Sequence, residues 1–359
     1  MAGLPSLPHS ASLSIAIVGA GAIGCRLAFH LAKNGVACVL FDGWPAHVDA
    51  INRVGLQCAE GHQTGTVRLR AHALDAPVSD QFDVVLVAVR SDQTARVAPV
   101  AARLLKPSGV LVSCQNGINE HVLAEAVGLD QIFGCTMVYG ARLVAPGRVE
   151  ALQGEDTFRV GAWDAGRASA LKLEELVSLF ALCGLATRTD NLPGYRWMKL
   201  ALNAMANPLL LLSGLTASEL HSHELARRLM AGIAREVLAA AEVSGARVEP
   251  LLGIDAARWV SRHPHDEDAI DQCLSRHGAA LGARRLSMVA DFQARGRTEV
   301  DHINGFVVHA LQSAGLPARL NQGVVNLVYD VESGRRAMAP DNLRELALLM
   351  PDTFQKSLT

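Results

Sequence analysis

Ser14-Ile15-Ala16-Ile17-Val18-Gly19-Ala20-Gly21-Ala22-Ile23-Gly24 is the stretch whose reading decides the fold. Leu13–Val18 is a short apolar run of strand formers, and Gly19–Gly24 is a glycine-rich hexad. Cys25–Asn34 then has helical periodicity, with Gly35 where a helix C-cap glycine belongs. Val36–Phe41 reads as a second strand, closed by Asp42-Gly43. A G-x-G-x-x-G hexad alone is common and suits an ordinary turn. Between a strand and a helix, with an acidic residue closing the next strand, it is a dinucleotide fingerprint. The glycines allow a tight turn and close approach of backbone to a pyrophosphate, and the helix N-terminus faces the phosphates with partial positive charge. Gly19, Ala20, Gly21, Ala22, Ile23 and Gly24 are therefore candidate cofactor-binding positions, with Asp42 at the ribose.

Working outward, strands and helices keep alternating. Phe82–Val89 is a continuous apolar run, as in a strand buried on both faces. Gln93–Leu105 reads as a helix, Gly109–Cys114 as a strand, Asn119–Val127 as a helix and Ile132–Tyr139 as a strand. Arg142–Val149 and Thr157–Gly161 read as later, antiparallel strands, and Ala168–Leu182 as a closing helix. The expectation is an α/β protein: a Rossmann-type doubly wound sheet over 13–190, after a flexible tail at 1–12. Ligands of such sheets sit beyond the carboxyl ends of the strands. Two polar clusters fall there, Arg90-Ser91-Asp92-Gln93 and Gln115-Asn116-Gly117, although helix-capping loops have the same chemistry.

Asn191-Leu192-Pro193-Gly194 is the candidate junction, and the pattern beyond it is helical. Helices are expected at Tyr195–Asn207, His223–Ser244, Asp255–Arg262, Glu267–Leu281, Arg284–Gln293, Glu299–Ala314 and Gln322–Gly334, giving an all-helical second domain over 191–359. A cleft between the two domains is the expected place for chemistry.

Composition narrows the class. The 359 residues are 50% hydrophobic with a net charge of −2, and the mean hydropathy is +0.21. Such a chain builds real cores. It has no basic stripe for nucleic acid or anionic membrane, and no apolar run near the roughly 18–20 residues of a transmembrane helix. The seven cysteines are scattered without CxxC spacing. Free thiols in a reducing cytoplasm are the simplest account. A homodimer is compatible with such a chain.

The chemistry gathers at Trp197-Met198-Lys199-Leu200-Ala201-Leu202-Asn203-Ala204-Met205-Ala206-Asn207-Pro208. Lys199, Asn203 and Asn207 are four apart, so on a helix an ammonium and two carboxamides form a ladder on one face. Asn is a poor interior helix residue. A pocket for a small polar substrate explains two of them; so does a structural hydrogen-bond network with Lys199 reaching water. Two further stretches stand out, Ser287-Met288-Val289-Ala290-Asp291 and Gly296–Gly305, where Glu299 and Asp301 also suit a helix start. His221-Ser222-His223-Glu224 and His263–Asp268 lack the spacing of a metal site and read as solvated turns. No metal is expected.

From about Ser14 to about Asn326 the chain resembles the ketopantoate reductases (2-dehydropantoate 2-reductases). The specific matches are Gln115-Asn116-Gly117, the W-x-K-x-x-x-N-x-x-x-N-P run at Trp197–Pro208, Ser287-Met288 followed by Asp291, and R-T-E-x-D-x-I-N-G at Arg297–Gly305. The resemblance implies NADPH-dependent reduction of 2-dehydropantoate to pantoate, a step of pantothenate biosynthesis. It makes Lys199 the general acid and gives Glu299 the task of holding the lysine and the substrate hydroxyl. Asn116, Asn203, Asn207 and Ser287 would bind substrate, with Asn116 also near the nicotinamide. Arg90 stands where the family often has a lysine near the adenosine phosphate. A β-hydroxyacid dehydrogenase is the alternative enzyme, but it typically has glycine where this chain has Tyr195. A non-catalytic NAD(P)-binding sensor would be expected to have lost Lys199 or Glu299.

The sequence also departs from that family. Asp42-Gly43 replaces the usual basic residue after the second strand, and a carboxylate there suits the ribose hydroxyls of NAD. NAD(H) is therefore as plausible a cofactor as NADP(H). Arg284-Arg285 and the long Leu251–Gly282 stretch point to a larger or more acidic 2-oxo acid, or to a solvated helix face.

Overall fold

The computed structural model describes residues 13–152, 154–284 and 287–350. The tail at 1–12 and Arg285 lie outside the described residues. The chain divides into two compact units after Leu192.

The first unit contains β1 (Ile15–Val18), α1 (Ala22–Lys33), β2 (Cys38–Asp42), α2 (Pro45–Val54), β3 (Leu56–Glu60), β4 (Gln63–Val67), β5 (Arg70–Ala73) and β6 (Phe82–Val87). It continues through α3 (Thr94–Leu104), β7 (Leu105–Ser113), α4 (Glu120–Val127), β8 (Ile132–Val138), β9 (Ala141–Ala145), β10 (Arg148–Ala151), β11 (Thr157–Ala162), α5 (Ala170–Ala181) and β12 (Leu185–Thr189). The main sheet has the order β12-β11-β8-β7-β6-β1-β2-β5. From β5 to β8 all neighbours are parallel, whereas β11 runs antiparallel to β8 and parallel to β12.

Strand residues alternate between two cores. Ile15, Ile17, Leu40, Val84 and Leu86 pack with α1, α2 and α5, while Ala16, Val18, Phe41, Val85 and Val87 pack with α3 and α4. Burial on both faces is why these strands read as unbroken apolar runs. Strand order reverses at β1, with β2 on one side and β6 on the other. The loops after β1 and β6 therefore diverge at a topological switch point, where open α/β sheets hold ligands.

The structure corrects the sequence reading in several places. Arg142–Val149 is not one strand: Pro146-Gly147, with φ +72° at Gly147, turns the chain so that β9 and β10 pair antiparallel. Together with β3 and β4 they form a second, four-stranded sheet, β4-β3-β10-β9. It lies against α1, and a Cβ on Gly65 would come within 2.6 Å of the Phe29 ring. These strands are short and half exposed; β4 reads Gln-Thr-Gly-Thr-Val. Their apolar signal is correspondingly weak. β5, β12 and α2 escaped the sequence reading for the same reason.

The second unit contains α6 (Leu192–Ser213), α7 (Ala217–Ser222), α8 (Glu224–Val243), α9 (Ala256–Val260), α10 (Pro264–Leu281), α11 (Ser287–Arg295), α12 (Phe306–Ser313), α13 (Arg319–Glu332) and α14 (Asp341–Ala347). Among the described residues its extended pairing is confined to a bridge between Leu251 and Ile254. α8 is its hub, packing against α7, α9, α10, α12, α13 and α14. α7 and α14 fall outside the helices expected from the sequence, and two of the expected helices differ most in extent or form. α6 begins at Leu192 and runs through Pro208 to Ser213 rather than stopping at Asn207. The helix expected over Glu299–Ala314 opens with a π-helical turn, Asp301–Gly305, before α12.

Candidate active site

The three glycines of the β1–α1 loop differ in what surrounds them. Gly19 adopts φ +100°, and a Cβ there would lie 2.7–2.9 Å from Val89 and Ala88. A Cβ on Gly24 would sit 2.0 Å from the Gly19 carbonyl oxygen. Gly21, the N-cap of α1, faces open space with no atom within 4 Å of such a Cβ. The first two glycines let the loop pack on β6 and on itself, and the third leaves backbone bare where a diphosphate would approach. The loop thus fits a dinucleotide.

Asp42 closes β2 with its carboxylate held by two backbone donors, Ala20 N on Oδ2 and Trp44 N on Oδ1, each at 2.8 Å. The fingerprint acid is thereby tied to the glycine loop. His47 anchors the next turn. Its Nδ1 accepts from Gly147 N at 2.9 Å, so the proton is on Nε2, facing Cys25 Sγ at 3.3 Å. Burial lowers the His47 pKa, despite Asp42, and pushes the Cys25 thiol up. This pair is neutral and structural. Trp44 stacks on His47 with centroids 5.4 Å apart and 8° between the rings.

The loops after β6 and β7, which carry the two polar clusters noted in the sequence, interlock through side chains, with Thr94 and Asn119 joining from outside those clusters. Ser91 Oγ donates to Asn116 O at 2.9 Å, and Asn119 Nδ2 donates to the same carbonyl at 2.7 Å. Gln115 Nε2 donates to Thr94 Oγ1 at 2.7 Å, which donates to Asn119 Oδ1 at 3.2 Å. Ser91, Thr94, Gln115 and Asn119 are all buried. Asn116 alone is exposed in the run from Val110 to Glu120, so a rigid base presents one free carboxamide. Arg90, expected near the adenosine phosphate, directs Nε to Asp92 Oδ1 at 3.1 Å, which offsets part of its charge locally.

In the second unit α6 carries Lys199, Asn203 and Asn207. Burial, reinforced by Arg196 one turn earlier, pushes the Lys199 ammonium below the ordinary lysine pKa. Asn203 Nδ2 is buried and meets no acceptor among the described residues. Asn207 is buried and its Nδ2 donates to Ser287 Oγ at 3.4 Å, so two of the expected substrate-binding residues stand together. An unsatisfied buried donor costs about 1–3 kcal/mol, which a ligand oxygen would recover.

The Glu299 segment is held to α13 on both sides. Thr298 N and Oγ1 both donate to Glu332 Oε1 at 2.7 Å, and the Tyr329 hydroxyl bonds Asp301. The Glu299 carbonyl accepts from His302 N and Ile303 N, which opens the π turn. Beyond it, buried Asn304 donates to the Ala204 carbonyl of α6 at 3.2 Å. Asn304 belongs to the Arg297–Gly305 motif, whose spacing alone does not reveal this partner.

Among the described residues no group of three or more His, Cys, Asp or Glu is gathered as for a metal ion. His221 is buried with Nδ1 2.8 Å from Leu274 O, and His263 caps α10. None of the seven cysteines is joined in a disulfide. No helix of the described residues is long and apolar enough to cross a membrane.

The 2-dehydropantoate 2-reductase of Archaeoglobus fulgidus is 28% identical over 330 residues, covering 89% of this chain and 98% of that protein. That of Lactococcus lactis is 26% identical over 300 residues, covering 82% and 90%. Among solved structures, a PanE/ApbA family ketopantoate reductase from Ralstonia eutropha superposes with a TM-score of 0.75 at 25% identity, covering 90% of this chain and 100% of that one. D-mandelate dehydrogenase with NADH and anilino(oxo)acetate gives 0.76 at 23% identity, covering 90% and 99%, a likeness of fold. The family described as ketopantoate reductase PanE/ApbA matches residues 15–165, and its C-terminal part matches 191–332. With both units matched, the chain belongs to the ketopantoate reductase (PanE/ApbA) family.

Proposed function

We propose that the protein reduces a 2-oxo acid to the 2-hydroxy acid with NAD(P)H, that 2-dehydropantoate is the leading substrate, and that Lys199 is the general acid. The names of the curated relatives support the reaction. The observation that carries the residue assignment is the α6 ladder: a lysine whose pKa is depressed by burial, then a buried carboxamide donor that meets no acceptor among the described residues, then a carboxamide bonded to Ser287.

Bound NAD(P)H supplies the hydride that converts the ketone carbon to an alkoxide carbon. Lys199 stabilises the growing negative charge on that oxygen and gives it a proton, after which the neutral amine regains one from water. Its depressed pKa suits this task, because a free lysine near 10.4 donates reluctantly at neutral pH. Asn203 and the Asn207–Ser287 pair hold the substrate's oxygens so that the carbonyl faces the hydride, and Asn116 orients the nicotinamide side. Glu299 takes the task the family resemblance gives it, holding the product hydroxyl.

Asp42 favours NADH. At about 4 Å and an effective dielectric near 20, a carboxylate and a 2′-phosphate charge repel by about 4 kcal/mol. Even half of that exceeds tenfold discrimination. Both carboxylate oxygens are already fixed by backbone donors, so the group cannot simply swing away.

The experiment is NADH and NADPH oxidation, followed by absorbance, against a panel of 2-oxo acids running from 2-dehydropantoate to bulkier and dicarboxylic members. Turnover with at least one is expected. No oxidation with any of them would overturn the reading and favour a nucleotide sensor.

A further inference from the structure

α6 carries the polar ladder and then continues through a residue that ordinarily ends a helix. Pro208 has no N–H, and its ring displaces the carbonyl four residues back. That carbonyl belongs to Ala204, next to Asn203, and it has lost its helical donor.

A side chain from elsewhere in the unit replaces it. Asn304 Nδ2 donates to Ala204 O at 3.2 Å and gives its other hydrogen to Asn321 Oδ1 at 2.9 Å. Asn321 is fixed in turn: its N and Nδ2 both donate to Glu236 Oε2 at 2.8 Å, and Leu320 N donates to Glu236 Oε1 at 2.9 Å. Asn304 and Asn321 are fully buried. Asn304 Oδ1 meets no donor among the described residues, so this position uses only the two hydrogens of its amide. The chain of bonds runs from Glu236 of α8 through α13 and the π turn to α6. Asn304 lies in that π turn, just after Glu299, whose flanks are pinned to α13 by Thr298 and Asp301. π turns recur at functional sites because they re-aim the residues they carry.

We propose that Asn304 is a positioning residue: by standing in for the N–H that Pro208 lacks, it fixes the rotation of α6 at Ala204 and so sets Lys199, Asn203 and Asn207 in register with the Glu299 segment. This rests on the reading of Lys199 as general acid. A misplacement of about 1 Å at a reacting group can cost about a hundredfold in rate, so a lock on helix rotation has catalytic consequences.

The test compares wild type, Asn304→Ala, Pro208→Ala and the double variant. The readouts are kcat, KM, coenzyme affinity, melting temperature and the titration of Lys199 by NMR of 13Cε-labelled lysine. The chain has five lysines, so the Lys199 signal is assigned with Lys199→Arg. Asn304→Ala is expected to lower kcat by about 10- to 100-fold, to move the Lys199 midpoint, and to leave coenzyme affinity unchanged. Pro208→Ala restores the missing N–H. In the double variant kcat and the midpoint therefore return most of the way, while the melting temperature stays low because Asn321 still lacks its donor. Asn304→Ser, which keeps one donor, gives an intermediate loss and takes the alanine variant's place if that one does not fold. A lowered melting temperature with kcat, KM and the Lys199 midpoint unchanged would reduce Asn304 to a core residue. A loss that Pro208→Ala does not relieve would overturn the substitution for the missing N–H. If wild type turns over no 2-oxo acid, the reading of Lys199 falls, and the NMR comparison still decides the role of Asn304.

Discussion

Asn207 Nδ2 lies 3.4 Å from Ser287 Oγ and joins α6 to the first turn of α11 across 80 residues of sequence. Two short polar side chains at that distance can grip one substrate carboxylate together. Hydrogen bonds to a charged group contribute about 1.5–3 kcal/mol. Asn207→Ala and Ser287→Ala are each expected to raise KM for the 2-oxo acid by about tenfold or more, with a smaller effect on kcat. The double variant should cost less than the sum, because each single change already loosens the shared contact. Strict additivity in steady-state kinetics would show that the two residues bind separate parts of the substrate, or none.

As the proposed general acid, Lys199 is expected to impose a pH dependence whose sign follows from its surroundings. Burial and then Arg196 favour the neutral amine, so its pKa lies below the ordinary 10.5. The reductive direction needs the protonated form. Its kcat is therefore full at low pH and falls as pH rises through the depressed pKa; oxidation of the 2-hydroxy acid rises through the same value. Lys199→Ala should lower kcat by about 10²–10⁴ and remove this limb, with coenzyme affinity retained. A kcat that stays flat up to pH 10, or near-normal turnover in the variant, would remove Lys199 from the mechanism.

What could be read from sequence divides along physical lines. The strands from β1 to β8 of the main sheet were legible, apart from β5, because burial on both faces makes them continuous apolar runs. β3 and β4 were not, because a half-exposed strand such as Gln63–Val67 carries little apolar signal. The α6 ladder was visible because periodicity places residues four apart on one face. Its continuation past Pro208 was not: proline ordinarily ends a helix, and the donor that meets the Ala204 carbonyl, Asn304, lies a hundred positions later. Sequence spacing does not reveal partners brought in by tertiary packing. The same holds for Ser91, Thr94 and Asn119, whose bonds hold the backbone beneath Asn116.

Substitutions at Gly21 and Gly24 are expected to separate coenzyme binding from folding. A methyl on Gly24 would collide with the Gly19 carbonyl at 2.0 Å, while one on Gly21 would meet nothing within 4 Å. Gly24→Ala should destabilise the first unit and lower the melting temperature. Gly21→Ala should cost no more than about 1 kcal/mol of stability, the price of a poorer N-cap, yet weaken NAD(P)H binding by at least about tenfold by filling the space a diphosphate needs. Calorimetric titration with the coenzyme beside thermal melts reads both effects. Unchanged coenzyme affinity in Gly21→Ala would move the phosphate site elsewhere.

Asp42 is expected to govern the choice between coenzymes. Its carboxylate ties Ala20 N to Trp44 N, so Asp42→Asn keeps an oxygen for one of these donors while removing the charge. The ratio of kcat/KM for NADH over NADPH should fall by about tenfold or more, chiefly through better use of NADPH. Equal kcat/KM for both coenzymes in the unaltered enzyme would show that Arg90 or another cation cancels Asp42.

Arg26 anchors the second sheet to α1 and tests stability alone. It is 4% exposed. Its guanidinium bonds Asp156 at 2.9 and 2.6 Å and Gly140 O at 3.0 Å, reaches Glu60 at 3.4 Å, and lies 4.1 Å over the Tyr139 ring. Asp156 is only partly buried, so removing Arg26 leaves its partner uncompensated at a cost below the roughly 3–5 kcal/mol of a fully buried pair. Arg26→Met should therefore lower the urea midpoint strongly, and adding Asp156→Leu should recover much of the loss. Glu60 adds a pH signature. Burial raises its pKa, but the bond to His30 and the charges of His30 and Arg26 outweigh this and hold it below the ordinary 4.5. A depressed carboxylate pKa contributes stability that is complete above the unfolded value and disappears as pH falls through the folded one. The acid limb of unfolding should therefore flatten in Glu60→Gln, and an unchanged limb would show that other carboxylates control acid stability.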